Sequence, residues 1–327
     1  MNARKGAPRE MMRAAAIDGF GPAEALTARD VPRPAVRPGE VLVRVRVAGV
    51  QLTDAAIRGG WTPPGATITF PQILGNEFAG VVEEVGPEVT GFAAGDDVAG
   101  FRVLGCYAEY VSVSAEQVVH KPAGVSWLTA GALSASGQTA HTALERLAVV
   151  EGETLLVHGA AGGVGSMAVQ LAVARGVRVV GTASPANHAY LRSLGAVPVG
   201  YGGGQLLRIR EAAPQGVDAA LDAAGHDNLL TAVSLVGDRS RVGTIVDIGL
   251  VRYLGCRWIS SDRSAVRLRE LLGLCDRGQL NVTIRGTYGL GEVAKAHLDV
   301  ETGHGRGKIA LVVSGEGGGP GSGDRAS

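Results

Sequence analysis

An α/β fold is predicted: a doubly wound parallel sheet joined to a β-rich, barrel-like domain. Three observations predict it. Residues 155–158 form an apolar run, residues 159–165 read Gly-Ala-Ala-Gly-Gly-Val-Gly, and a helical stretch through Ala174 stops at Gly176, with a second strand at 177–183. That is a βαβ unit around a glycine-rich turn. Between Met12 and about Lys121, short apolar runs are broken by Gly and Pro, the pattern of a compact β domain. Beyond Lys121, helical and strand patterns alternate, which argues for parallel strands with crossover helices.

The elements follow in order. A first strand is read at 12–17. Residues 41–48 alternate apolar with basic side chains after Pro38-Gly39, as a half-buried strand does. Residues 78–86, 97–101 and 107–113 repeat the theme. Residues 128–149 are Ala-rich and helical, with Gly137-Gln138-Thr139 as a candidate break. After the βαβ unit come a helix at 189–194 and a short edge element at 197–199, marked as such by Pro198. A strand at 217–223, a helix at 229–236 and a strand at 241–247 complete the series. A helix at 264–277, a strand at 282–288, a helix at 292–302 and a strand at 309–313 then return to the first domain. The expected units are a discontinuous β-rich domain of residues 12–125 and 260–314 and a doubly wound α/β domain of residues 126–259.

The chain has 327 residues, enough for roughly two domains. Its mean hydropathy of +0.17 allows a large core. Lys and Arg total 31 against 31 Asp and Glu, so nothing electrostatic favours nucleic acid or an anionic membrane surface as partner. Cys106, Cys256 and Cys275 have no Cys-x-x-Cys spacing. They read as reduced thiols of a cytoplasmic protein. No apolar run reaches the length of a membrane span. Residues 1–11 are a polar extension without the apolar core of a signal peptide, and residues 315–327 are a Gly-, Ser- and Pro-rich tail; both are expected to be disordered.

The glycine turn suits a dinucleotide. Its glycines admit a pyrophosphate close to the backbone, and the helix start offers free N–H groups. Ala161, Gly162, Gly163 and Val164 are the candidate contacts. Sites selective for NAD place an acid at the end of the second strand, about 20 residues on. Here that strand ends Gly181-Thr182-Ala183-Ser184. With no carboxylate to repel a 2′-phosphate, NADPH is favoured. Ser184, Asn187, His188 and Tyr201 are candidates to hold it, although Ser184 equally suits a helix cap.

Taken together, four segments resemble the zinc-free quinone oxidoreductase, or zeta-crystallin-like, branch of the medium-chain dehydrogenase/reductase superfamily. They are Ala48-Gly49-Val50-Gln51-Leu52-Thr53-Asp54, residues 71–80 (Pro-Gln-Ile-Leu-Gly-Asn-Glu-Phe-Ala-Gly), Ala160 to Gly165, and Gly303-His304-Gly305-Arg306-Gly307-Lys308. The resemblance implies a GroES-like catalytic domain with the Rossmann domain inserted, a cleft between the two, NADPH-dependent hydride transfer and a homodimer. The expected pairing is through a Rossmann edge near residues 251–259. Zinc alcohol dehydrogenases carry Cys and His where this chain has the Gln51 segment and Asn76, and a four-cysteine lobe that is missing here. The resemblance therefore implies no metal.

A metal-free site with NADPH suits an electron-poor small molecule: a quinone, or the activated alkene of an enone or enoyl substrate. By resemblance, Gln51 stands where relatives carry Asn, against nicotinamide and substrate. Thr53 lies in the same segment. Asp54 is read as fold-stabilising rather than as a general acid. Trp61 takes the place of a Tyr and suggests a wide apolar wall, or simply packs under its loop. Thr139 matches a position near the nicotinamide. His141 is read as structural. Ile245, Val246 and Asp247 should lie under the nicotinamide, at the carboxyl end of their strand. Arg306 either approaches the cofactor or sits in a solvated turn. Two further readings stay open: a cofactor-binding protein with little turnover, and a zinc alcohol dehydrogenase.

Overall fold

The computed structural model describes residues 10–303 and 305–314. His304 and the Gly-rich tail at 315–327 lie outside the described residues, as do residues 1–9 of the predicted extension. Within that extension the structure corrects the reading at two positions. Glu10 pairs with Arg33, and Met11 opens the strand Met11–Ile17, opposite Pro32.

Among the described residues three sheets form. The six-stranded one is parallel throughout, in the order Val197–Gly200, Arg178–Ala183, Thr154–His158, Ala219–Asp222, Val242–Thr244, Arg257–Trp258. The order reverses at Thr154–His158, so a crevice opens above its carboxyl end. Pro198 sits in the outermost strand, where a missing N–H costs no ladder bond.

The second sheet is built around the long strand Glu40–Val50, which pairs antiparallel with Glu77–Val85, Tyr110–Ser114 and Lys308–Val312. Asp97–Phe101 and Val118–His120 extend it on one side and Ile284–Gly289 on the other. The last described strand therefore lies against one of the first. A small sheet of Thr27–Pro32, Met11–Ile17 and Gln72–Ile73 completes the barrel-like half.

The helix Trp127–Arg146 packs on both halves. Its Gly131 lies against Val47 of the long strand, and Leu133, Leu144 and Leu147 share a core with Leu155, Val157 and Met167. The candidate break at Gly137-Gln138-Thr139 is not one: the helix is continuous. Leu133 and Leu271 close over Gly137, and Thr139 and Thr142 return their hydroxyls to carbonyls one turn back. Helical side-chain bonding of this kind keeps polar residues inside a helix.

Three further readings are corrected. The strand read at 241–247 spans only Val242–Thr244, because Asp247 caps a helix, Ile248–Leu254, by accepting from the Leu250 amide at 3.1 Å. The edge read at 251–259 is thus helix and then the two-residue strand Arg257–Trp258. The strand read at 107–113 begins at Tyr110, since Cys106 and Tyr107 bond back to Gly75 and Leu74.

Candidate active site

The glycine turn follows the strand Thr154–His158 and opens the helix Gly163–Val173. Gly159 takes a left-handed φ of 69°, and a side chain at Gly165 would overlap the Gly159 carbonyl. These two glycines set how tightly the turn closes. Gly162, Gly163 and Val164 keep a partly exposed face, while Ala161 is buried. The N–H groups of the first helical turn have no helical acceptors and sit at the positive end of the dipole. A Cβ on Gly163 would stand 2.9 Å from Ser136 Oγ and 3.0 Å from Lys308 Cδ. The turn therefore abuts the catalytic half directly. Gly307 closes it, donating its N–H to the Ala161 carbonyl at 2.9 Å.

Beside this turn the structure gathers Gln51, Glu77 and Lys308. Glu77 is fully buried and accepts from Lys308 Nζ at 3.0 Å, from the Gln51 side-chain amide, and from the Ala135 backbone N–H at 2.6 Å. Gly49 makes room for it, because a side chain there would overlap the Glu77 carboxylate. A buried charge survives only with a partner and satisfied lone pairs, and Glu77 has both.

Gln51 also starts the helix Leu52–Arg58 in a reciprocal cap with Asp54. Asp54 accepts from Asn76 Nδ2 at 3.0 Å, from Tyr107 Oη at 2.8 Å and from the Gln51 amide at 3.0 Å. Burial pushes its carboxyl up to about 6 against the pull of those three donors. This network holds the loop and matches the fold-stabilising reading. Arg263 reaches the same place from the other side. Its Nη1 donates to the Asn76 carbonyl at 3.0 Å.

Thr53 is exposed and makes none of these contacts, and Trp61, three residues past the helix, is 46% exposed. The structure thus draws Gln51 into the cluster and leaves Thr53 and Trp61 outside it. Thr139 lies one turn beyond Ala135, with its hydroxyl on the Ala135 carbonyl at 2.6 Å. His141 is engaged by Arg267 Nε at 3.0 Å, away from Glu77, in keeping with the structural reading.

At the end of the second parallel strand, Ser184 makes no backbone cap; its Oγ accepts from Asn187 Nδ2 at 3.2 Å. Arg306 Nε donates to Asn187 Oδ1 at 3.3 Å, and its guanidinium lies 4.7 Å over the Tyr190 ring. So an exposed cation stands beside the strand end where an NAD site would have an acid, linked to Ser184 through Asn187. His188 follows Asn187, with Nε2 buried and unpartnered among the described residues. Tyr201 is exposed just beyond Gly200, which pairs with Ala183. Ser184, Asn187, Arg306 and Tyr201 thus border one corner of the crevice.

Ile245, Val246 and Asp247 lie at the carboxyl end of Val242–Thr244, with Val246 exposed and the Asp247 side chain committed to its cap. Beneath the crevice, His158 is fully buried, with Nδ1 3.2 Å from Thr182 Oγ1 and Nε2 unpartnered among the described residues. Burial drives its imidazole down to about 4, against the charge of Asp222. Glu77, Lys308 and His158 were not predicted. The signals for the first two were Gly49, Asn76-Glu77 and Gly307-Lys308, quoted for resemblance but without a role.

No group of three or more His, Cys, Asp or Glu among the described residues is placed to hold a metal ion. The residues present suit a nicotinamide dinucleotide: the partly exposed Gly162–Val164 turn has free helix-start N–H groups for a pyrophosphate, and the Arg306 corner offers a cation and hydrogen-bonding side chains.

Residues 37–123 match the alcohol dehydrogenase GroES-like domain family, and residues 195–311 the zinc-binding dehydrogenase family. A quinone oxidoreductase of Pseudomonas aeruginosa is 32% identical over 90% of this chain and 97% of its own. A 2-methylene-furan-3-one reductase of Solanum lycopersicum is 29% identical over 86% of this chain and 74% of its own. The solved quinone oxidoreductase of Coxiella burnetii superposes with a TM-score of 0.83 at 30% identity, covering 93% of this chain and all of that one. With a GroES-like half, a parallel Rossmann-like half and quinone oxidoreductases among its relatives, the chain belongs to the medium-chain dehydrogenase/reductase superfamily and is an oxidoreductase of the nicotinamide-binding kind.

Proposed function

We propose that this chain is an NADPH-dependent, zinc-independent reductase of an electron-poor small molecule, either a quinone or the activated alkene of an enone or enoyl substrate. The observation that carries the NADPH reading is the Ser184–Asn187–Arg306 corner. An exposed guanidinium with two hydrogen-bonding neighbours suits a 2′-phosphate, and no carboxylate stands among them. The zinc-independent reading rests on donor chemistry. Gln51 and Asn76 offer amides, which zinc takes poorly, and both are committed to Glu77 and Asp54.

When bound, the nicotinamide supplies a hydride, and the protein's part is to place it and to stabilise charge on the acceptor. Gln51, held by Glu77, fixes one wall of the place where the two reactants meet. Thr139 and Ile245–Asp247 line the Rossmann side. Thr53 and Trp61 belong to the outer rim. Free thiols at Cys106, Cys256 and Cys275 fit a cytoplasmic setting. The open edge strand Arg257–Trp258 fits pairing with a second copy.

The test is oxidation of NADPH and of NADH, followed at 340 nm, with a panel of quinones and enones on protein assayed for metal content. Turnover with NADPH preferred and no stoichiometric zinc is expected. Tight NADPH binding without turnover on any acceptor would identify a cofactor-binding protein instead.

A further inference from the structure

We propose that Arg263 is the oxyanion-binding residue of the cleft, holding the oxygen of a conjugated carbonyl substrate as that oxygen gains negative charge. The proposal deepens the reductase reading and rests on it for the identity of the substrate. Addition of hydride to the β-carbon pushes the alkene π pair through the conjugated system onto the carbonyl oxygen. The nicotinamide is oxidised, the substrate is reduced by two electrons, and a proton from solvent completes the product. The oxygen is the atom that needs a donor.

Arg263 is built to be one. Its segment is pinned on both sides of the residue: the Asp262 amide donates to Thr142 Oγ1 at 3.1 Å and the Ser264 amide to Gln138 Oε1 at 2.7 Å. Both acceptors lie on the helix that also carries Ala135 to Glu77. From there the side chain crosses to the catalytic half. Nη1 donates to the Asn76 carbonyl at 3.0 Å and approaches Asn76 Oδ1 at 3.4 Å, and the guanidinium carbon lies 5.3 Å from the centroid of the Phe101 ring.

These contacts orient the group but use only one of its nitrogens. Nε and Nη2 donate to nothing among the described residues, no carboxylate pairs with the group, and neither atom is sealed from solvent. Arginine holds its proton under all ordinary conditions, so a half-buried cation stands here with no carboxylate hydrogen-bonded to it among the described residues. Burial pulls its pKa down, and Cys106, Glu77 and Asp54 lie near enough to oppose that. Arg58 and Arg241, by contrast, spend their forks on Glu301 and Glu153, and Arg208 spends its fork on the carbonyls of residues 200–203. Arg263 thus holds Nε and Nη2 free, among the described residues, at Asn76, whose side chain is tied through Asp54 to the Gln51 loop.

Two measurements test this on the full chain. The first uses p-nitrophenol as a phenolate mimic of the charged oxygen, titrated by its absorbance against protein saturated with NADP+. Bound probe should ionise at least one pH unit below free probe, and Arg263→Gln should weaken phenolate binding at least tenfold while NADP+ affinity stays within twofold. The second is steady-state kinetics. Arg263→Gln should lower kcat about 10²–10³-fold with a much smaller change in KM, as loss of an oxyanion donor does, and Arg263→Lys should restore part of the loss.

No phenolate binding by the unaltered protein, or equal binding by Arg263→Gln, overturns the proposal. Should Arg263→Gln not fold, Arg263→Lys carries the test: the same charge at a different reach is expected to cost at least tenfold in phenolate affinity, and no change overturns the idea. Phenolate held by Arg263 in a protein that turns over neither quinones nor enones would leave the anion site standing and remove the reductase reading. Normal turnover by Arg263→Gln would do the reverse.

Discussion

Individual charges decide most of what happens in this cleft. Glu77 and Lys308 are both within a few per cent of full burial, so each depends on the other. Lys308→Met should destabilise the protein by about 3–5 kcal/mol, the usual cost of stranding one member of a buried pair. Glu77→Gln combined with Lys308→Met should recover much of that, and chemical denaturation of the two variants would show it. Arg306 stands differently, exposed and aimed at Asn187. Arg306→Ala should weaken NADPH roughly 10–100-fold, the worth of one hydrogen bond to a charged group, and leave NADH nearly unchanged; fluorescence titration with each cofactor checks this. Two histidines set the acid limit. Burial holds His158 down to about 4, and burial with the Arg58 charge holds His297 down to about 3. Both stay neutral when folded, so their contribution is intact above pH 6.5 and is lost as pH falls towards those values, with a slope approaching about 1.4 kcal/mol per pH unit for each. Asp54 acts oppositely across much of the same range, its raised carboxyl favouring the fold below pH 3.8 and losing that advantage as pH rises through about 6, so it offsets part of the histidine slope. Thermal midpoints from pH 4 to 8 for the unaltered protein and for Asp54→Asn would separate the two: removing Asp54 should leave the histidine slope steeper. Glu77 and Lys308 lie 231 positions apart, a separation that hides such a pair from local pattern.

At the scale of the element, the parts with strong periodicity were legible and the parts made by tertiary contact were not. The strand–turn–helix at 155–174 could be read because its apolar run, glycine spacing and Gly176 stop all agree. The helix Trp127–Arg146 was read with a break, because Gly137 and Thr139 are poor helix formers in isolation. Packing of Leu133 and Leu271 over Gly137 overrides that preference. The helix Ile248–Leu254 was missed for the opposite reason. Seven residues with Gly249 inside are marginal as a helix, and only the Asp247 cap and the Gly255 left-handed stop define it. Asp247→Ala should therefore cost about 1 kcal/mol and loosen residues 246–250. Hydrogen exchange confined to those amides is the measurement, and an unchanged pattern would show that the cap is not what holds the helix.

For the whole molecule, the fold class was legible in full, since alternating elements beyond Lys121 and short strands before it each have their own period. The meeting of the two halves was legible only through resemblance. Nothing local in Lys308–Val312 says that it will lie along Glu40–Val50, or that Gly307 will close a turn at Ala161. The same holds for the candidate site. The glycine turn announced itself; Glu77, Lys308 and Arg263 matter only because segments distant in sequence converge on Gln51 and Asn76.

That convergence sets an order of events during synthesis. At about 5–20 residues per second, a ribosome adds Lys308 roughly 10–50 s after Glu77. Through that interval the nascent chain holds a carboxylate with no cation and a long strand, Glu40–Val50, whose end at 47–50 lacks its partner on one side. Both are completed by the same short segment, so the arrival of residues 307–312 closes the sheet, neutralises the charge and finishes the cofactor turn together.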